Sequence, residues 1–178
     1  MKVISVFGSA SPQAGDLDYA QAEQVGRLLA QAGYAVATGS YVGTMEAVSK
    51  GAAEAGGHVI GIASDAIEAI RPIAPNQYVA EIIRYPTLRE RLLHLVIYND
   101  GAIVLPGGAG TLAELALLWN SVQVNELSPR PIVLLGDLWQ QTIAVFDQPQ
   151  YVKPATRQLL SFADTPADAV QQVVNFYD

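Results

Sequence analysis

The stretch that most constrains this chain is an uncharged, branched run that breaks into glycines and resumes with the spacing of a helix. Gly101-Ala102-Ile103-Val104-Leu105 has the pattern of a parallel strand buried on both faces. Pro106-Gly107-Gly108-Ala109-Gly110-Thr111 follows, with three glycines in four positions, opening backbone angles closed to other residues and leaving amides uncovered by side chains. From Thr111 to about Val124, apolar residues at 112, 115, 116, 118, 119 and 122 mark a helix. The bare N–H groups then lie at a helix N-terminus, where orphan donors and the macrodipole favour an anion, so a phosphate is the expected guest. A purely structural strand-to-helix turn is the competing reading. No Gly-Lys-Ser or Gly-Lys-Thr ending is present, which argues against kinase or ATPase chemistry.

The rest of the chain repeats this strand-and-helix rhythm. Strands are expected at Lys2–Phe7, Tyr34–Thr38, Val59–Ala63, Val79–Arg84, Pro131–Leu135 and Leu159–Ala163. Helices are expected at Leu17–Ala32, Met45–Ala55, from the Thr87-x-x-Glu90 capping box to Tyr98, and at Leu138–Phe146 and Pro166–Phe176. Gly8-Ser9-Ala10-Ser11-Pro12 is a further strand-to-helix loop, of small residues, and Gly39-Ser40-Tyr41-Val42-Gly43-Thr44 is a second glycine turn between a strand and a helix. Asp65 to Gln77, with Pro72 and Pro75, reads as an irregular loop. Alternation of this kind implies one doubly wound α/β domain over residues 1–178, a parallel sheet with helices on both faces and ligands beyond the carboxyl ends of its strands.

Composition narrows the partners. Hydrophobic residues make up 51% and charged ones 15%, so some apolar surface is expected between subunits. A net charge of -7 argues against nucleic acid, which usually meets a basic face, but leaves room for a small anion. With no cysteine there is no thiol nucleophile or thiolate metal site, and two distant histidines give a metal little support. Met1 to Phe7 is too short for a signal peptide and no run suits a bilayer span, so a cytoplasmic protein without a membrane partner is expected.

Pro106 to Glu114 fits the Pro-Gly-Gly-x-Gly-Thr-x-x-Glu signature, and on it the chain resembles the LOG (Lonely Guy) family, often labelled lysine decarboxylases. Arg91 falls where that family has an arginine, and Gly8-Ser9, Tyr19 and the Gly39-to-Met45 turn also fit, so the resemblance runs from about Val3 to Leu135. It implies a Rossmann-like fold, a homodimer, no cofactor, and hydrolysis of a nucleoside 5'-monophosphate, AMP, CMP or a cytokinin nucleotide, to free base and ribose 5-phosphate. By the same resemblance Arg91 and Glu114 are catalytic, while Gly8, Ser9, Gly39, Gly43, Thr44, Pro106, Gly107, Gly108, Gly110 and Thr111 bind substrate or its phosphate. The chain departs from the family at Leu92, in place of a lysine, at Ala113, in place of an acid, and at Thr38-Gly39-Ser40, in place of three glycines. It also resembles the molybdenum cofactor carrier proteins, in size and in Gly43-x-Met45-x-Ala47 followed by Lys50-Gly51-Ala52, which implies binding without turnover.

The residues suit the hydrolysis. A ribosyl bond breaks through an oxocarbenium-like state, which a carboxylate about one turn into the phosphate-holding helix can stabilise. Thr111-Leu112-Ala113-Glu114 also has the form of a capping box, which gives Glu114 a structural alternative. Arg91, in the first turns of its helix, either binds an anion or is an exposed cation opposed by the helix dipole. Glu46 reads as a first-turn acid, Asp16 and Asp18 as helix-entry residues, His94 and Trp119 as packed or at a subunit contact. His58 begins a strand, and the segment from Pro72 to Tyr85, including Asn76 and Gln77, reads as a surface loop that can close over a base. Gly8 to Gln13 lacks the Gly-x-Gly-x-x-Gly turn of dinucleotide-dependent oxidoreductases.

Overall fold

A computed structural model describes all residues, Met1 to Asp178. In chain order the elements are β1 (Val3–Phe7), α1 (Leu17–Gln31), β2 (Ala35–Thr38), α2 (Thr44–Glu54), β3 (Val59–Ser64), α3 (Asp65–Ile70), β4 (Glu81–Tyr85), α4 (Leu88–Ile97), β5 (Gly101–Val104), α5 (Ala109–Gln123), β6 (Ile132–Leu135), α6 (Asp137–Phe146), α7 (Pro154–Arg157), β7 (Ser161–Ala163) and α8 (Pro166–Tyr177). The strands form one sheet in the order β4-β3-β2-β1-β5-β6-β7, and every pairing is parallel. The chain winds outward from β1 in one direction and from β5 in the other. Those two central strands, paired Val6 to Ile103 and Phe7 to Val104, define the point where the strand order reverses. A crevice opens there between loops that leave in opposite directions.

The apolar central strands feed two cores because successive side chains point to opposite faces. Ile103 and Leu105 pack with α1, α2 and α8, whereas Ala102 and Val104 pack with α4, α5 and α6. On the first face the helices approach closely: a Cβ on Gly26 would stand 2.0 Å from the Val48 carbonyl oxygen, and one on Gly51 would stand 1.9 Å from that of Glu23. On the second, Trp139 is buried and its indole donates to the Leu105 carbonyl at 2.9 Å, fixing α6 beside the end of β5. No helix is long and apolar enough to cross a membrane.

Two short helices differ from the expected elements. Asp65 to Ile70 is helical rather than irregular, and Pro154 to Arg157 forms one further turn. The prolines at 72 and 75 govern only the segment after α3, and neither helix is long enough for its periodicity to emerge from the sequence. The central glycine helix begins at Ala109 rather than Thr111, with Gly108 as its N-cap.

Candidate active site

A cleft of about 470 Å³ lies at the carboxyl ends of β1, β2, β3 and β5. Its lining includes Gly8 and Ser9 after β1, Gly39 and Tyr41 after β2, Gly108, Gly110, Thr111 and Glu114 from the glycine turn and α5, and Arg91 from α4. Ala109, Gly110 and Thr111 are the first three residues of α5, so their N–H groups precede the reach of the helix's own carbonyls. Gly108 and Gly110 face open space at the Cβ position, and neither has a positive φ. Nothing in the fold requires glycine at these two positions.

Thr111 locks the turn to β1, its hydroxyl donating to the Gly8 carbonyl at 3.0 Å. No side chain caps α5, so Thr111 and Glu114 do not form a capping box. Glu114 instead lines the cleft at 8% exposure. Burial pushes its carboxyl up to about 7, with the Arg91 charge pulling the other way.

Arg91 is not an exposed cation either. It is 7% exposed; its Nε donates to the Ile62 carbonyl at 2.8 Å and its Nη2 to the Gly39 carbonyl at 3.0 Å. The Thr87–Glu90 capping box holds the start of α4 just before it. Strand-end carbonyls therefore offset the dipole conflict expected for a cation in the first turns. A Cβ on Gly39 would stand 2.0 Å from Nη2, so this glycine makes room for the guanidinium. Burial lowers the Arg91 pKa, and the nearby Glu114 carboxylate opposes that shift.

The remaining residues expected at the site fall outside the lining, in supporting positions. Gly43 has φ +73°, and a Cβ there would stand 2.4 Å from the Ser9 carbonyl oxygen. That same oxygen accepts from the Thr44 amide at 2.9 Å and the Thr44 hydroxyl at 3.0 Å. The donors of Thr44 are thus spent on a neighbouring loop. Gly107 makes room for Thr111, whose Oγ1 would lie 2.2 Å from a Cβ, and Pro106 leads into the turn as half-buried backbone. Glu46 stands in the first turn of α2; His58 meets Glu81 at 3.0 Å on the surface. His94 accepts or donates a bond with the Tyr85 hydroxyl at 2.8 Å and stacks near Tyr98, and burial lowers its pKa. Trp119 donates to the Thr156 carbonyl at 2.8 Å. Asn76 turns its side chain back onto the carbonyls of Ser40 and Tyr41, both at 2.9 Å.

Ile73, in the segment expected to close over a base, lines the cleft; three further lining residues have no sequence expectation, Ile67 and Arg71 in and after α3 and Leu88 one turn before Arg91. The i, i+3 relation of Leu88 to Arg91 was the available signal for Leu88, since such residues share a helix face. For Ile67 and Arg71 no local pattern exists, because their facing depends on how α3 folds back over β3.

The family model described as "Possible lysine decarboxylase" matches residues 45–173. A cytokinin riboside 5'-monophosphate phosphoribohydrolase of Arabidopsis thaliana is 29% identical over 142 residues, 76% of this chain and 60% of that protein. A pyrimidine/purine nucleotide 5'-monophosphate nucleosidase of Escherichia coli is 35% identical over 130 residues, 67% of this chain and 28% of that protein. The match thus spans less than two thirds of either relative. Among solved structures, the molybdenum cofactor binding protein of Rippkaea orientalis is similar with a TM-score of 0.78 and 27% identity, over 99% of this chain and 98% of that one. With the family model covering most of its length and a Rossmann-like doubly wound sheet carrying the signature turn, this chain belongs to the "Possible lysine decarboxylase" family, the LOG family.

Proposed function

We propose that the protein hydrolyses the N-glycosidic bond of a nucleoside 5'-monophosphate, releasing the free base and ribose 5-phosphate. The observation that carries this reading is the buried Glu114 carboxyl, which lines the same cleft as an open helix N-terminus and Arg91. The names of the relatives from Arabidopsis thaliana and Escherichia coli support the same class of reaction.

The 5'-phosphate rests on the amides of Ala109, Gly110 and Thr111, where donors and dipole both favour an anion. That anchor brings C1' of the ribose towards Glu114. As the C1'–N bond breaks, its electron pair leaves with the base and positive charge gathers on the sugar. The ionised Glu114 stabilises that charge and accepts a proton from the water that adds to C1'. Arg91, held by Ile62 and Gly39, keeps the carboxylate ionised more readily than burial alone would allow and faces the negative charge of phosphate or departing base. Water is the nucleophile, so the reaction calls for no cofactor.

The test is release of base and ribose 5-phosphate from AMP, CMP and isopentenyl-AMP by the pure protein. Glu114→Gln is expected to lower kcat by about 100-fold or more while nucleotide binding persists. Tight binding without product from any nucleotide would favour a second reading, a carrier of a phosphorylated cofactor, which the full-length likeness to the Rippkaea orientalis protein supports.

A homodimer belongs to this proposal. Leu112, Trp119, Ile143, Phe146 and Tyr151 line an apolar groove on α5, α6 and the segment before α7, and Leu112 adjoins the phosphate turn. Sedimentation of a dimer that Leu112→Glu dissociates would support it, and a monomeric wild type would remove it. We place the protein in the cytoplasm, where nucleoside monophosphates are found.

A further inference from the structure

Building on the nucleotide reading above, we propose that the strap from Asp65 to Asn76 forms the base subsite and that Arg71 selects 6-oxopurine nucleotides over adenine nucleotides. The strand order places the parts. β5, β1, β2 and β3 lie side by side, and neighbouring strands are about 4.8 Å apart, so the glycine turn after β5 and the strap after β3 stand about 14 Å apart. A nucleoside monophosphate with its phosphate on α5 lays its sugar over the ends of β1 and β2, beside Ser9, Gly39, Arg91 and Glu114. Its base then meets the strap.

The strap is anchored at both ends. Glu68 accepts from the Tyr41 hydroxyl at 3.2 Å and pairs with Arg84 at 2.7 Å, while Asn76 donates to the carbonyls of Ser40 and Tyr41. Between the anchors, Ile67, Arg71 and Ile73 line the cleft, and Val42 and Leu88 extend the apolar wall. Apolar contact suits any base, but Arg71 does not. Arg71 and Arg91 are the two cations of the lining, and while Arg84 beside the strap is paired with Asp65 and Glu68, Arg71 forms none of the chain's ion pairs. A guanidinium offers donors only, in a planar fork. Guanine and hypoxanthine present O6 and N7 as adjacent acceptors, whereas adenine places an N6 donor beside N7.

The experiment measures base release and, by calorimetry, equilibrium binding with GMP, IMP and AMP, for the wild type, Arg71→Ala and Arg71→Gln. The wild type is expected to prefer GMP and IMP over AMP by roughly 10- to 100-fold in kcat/KM, expressed mainly in KM. Arg71→Ala collapses that ratio towards one, and Arg71→Gln, which can both donate to N7 and accept from N6, turns it towards AMP. Equal handling of GMP and AMP by the wild type, or a ratio that Arg71→Ala leaves intact, overturns the assignment. If no nucleotide yields base but binding shows the same Arg71-dependent preference, the hydrolase reading falls and the base subsite stands. Absence of binding by every nucleotide overturns both.

Discussion

Two glycine turns, each ending in Gly-Thr, leave the centre of the sheet with opposite fates. The turn after β2 is stitched shut: Gly43 takes a left-handed φ, and the amide and hydroxyl of Thr44 both donate to the Ser9 carbonyl. The turn after β5 is open, with Gly108 and Gly110 facing empty space in ordinary backbone conformations. In the first turn glycine is required by the protein; in the second it is surplus to the protein's own needs. That difference separates a turn stitched into the wall of the cleft from one left open to it, and a glycine count cannot make the distinction.

Substitutions can break the comparison. Gly43→Ala forces a side chain into a left-handed conformation and onto the backbone of Ser9 and Ala10, so we expect a loss of about 4 kcal/mol. For a chain of this size that lowers Tm by roughly 8–16 °C, read by thermal unfolding. A Gly43→Ala protein as stable as the wild type would show that the stitch carries no strain.

Next in size is the burial of Glu114 behind the open turn. Its carboxyl rises from an ordinary 4.5 to about 7, so between those values the folded protein holds a proton that the unfolded chain releases. Stability from this group is therefore full below about pH 4.5 and is lost as pH rises through about 7. Glu114→Gln is expected to be more stable than the wild type by up to about 3 kcal/mol at pH 8, with the difference shrinking at pH 5. Urea unfolding at the two pH values checks this, and a variant less stable at both would contradict it. Activity should run the other way, with kcat/KM rising as pH approaches about 7 and levelling above it, because the proposed mechanism uses the ionised form.

Gly110→Ala sharpens the contrast from the ligand's side. The methyl meets no protein atom and favours the helix by about 0.5–1 kcal/mol, yet it intrudes where a phosphate approaches. We expect unchanged or higher Tm with nucleotide affinity lowered by roughly 10-fold, or about 1.4 kcal/mol. Intact affinity would mean that the open turn is not the phosphate seat. Thr44→Val has the smallest expected effect, about 1 kcal/mol of stability for one hydrogen bond and no change in affinity. A large loss of affinity there would return Thr44 to the ligand.

The sheet and its central turn were legible in the sequence because both are local patterns: a branched run, a glycine cluster and a helical face within twenty residues or so. The capping box at Thr87 and Glu90 was legible for the same reason. The buried setting of Arg91 was not, because the carbonyls that hold it belong to Ile62 and Gly39, 29 and 52 residues away. Its helix position leaves open an anion-binding residue or an exposed cation, and only the strand ends make it a buried one. The stitch between Thr44 and Ser9 was hidden likewise, since its partners are 35 residues apart. The Thr111–Glu114 spacing suggested a capping box that fails once Gly108 starts the helix earlier.

The seat of a bound nucleotide is the most direct test of the open turn's role. A crystal structure of Glu114→Gln with a nucleoside 5'-monophosphate should show phosphate oxygens on the amides of Ala109, Gly110 and Thr111, with C1' beside residue 114. A nucleotide bound with the glycine turn empty, or with residue 114 turned away from the sugar, would contradict it.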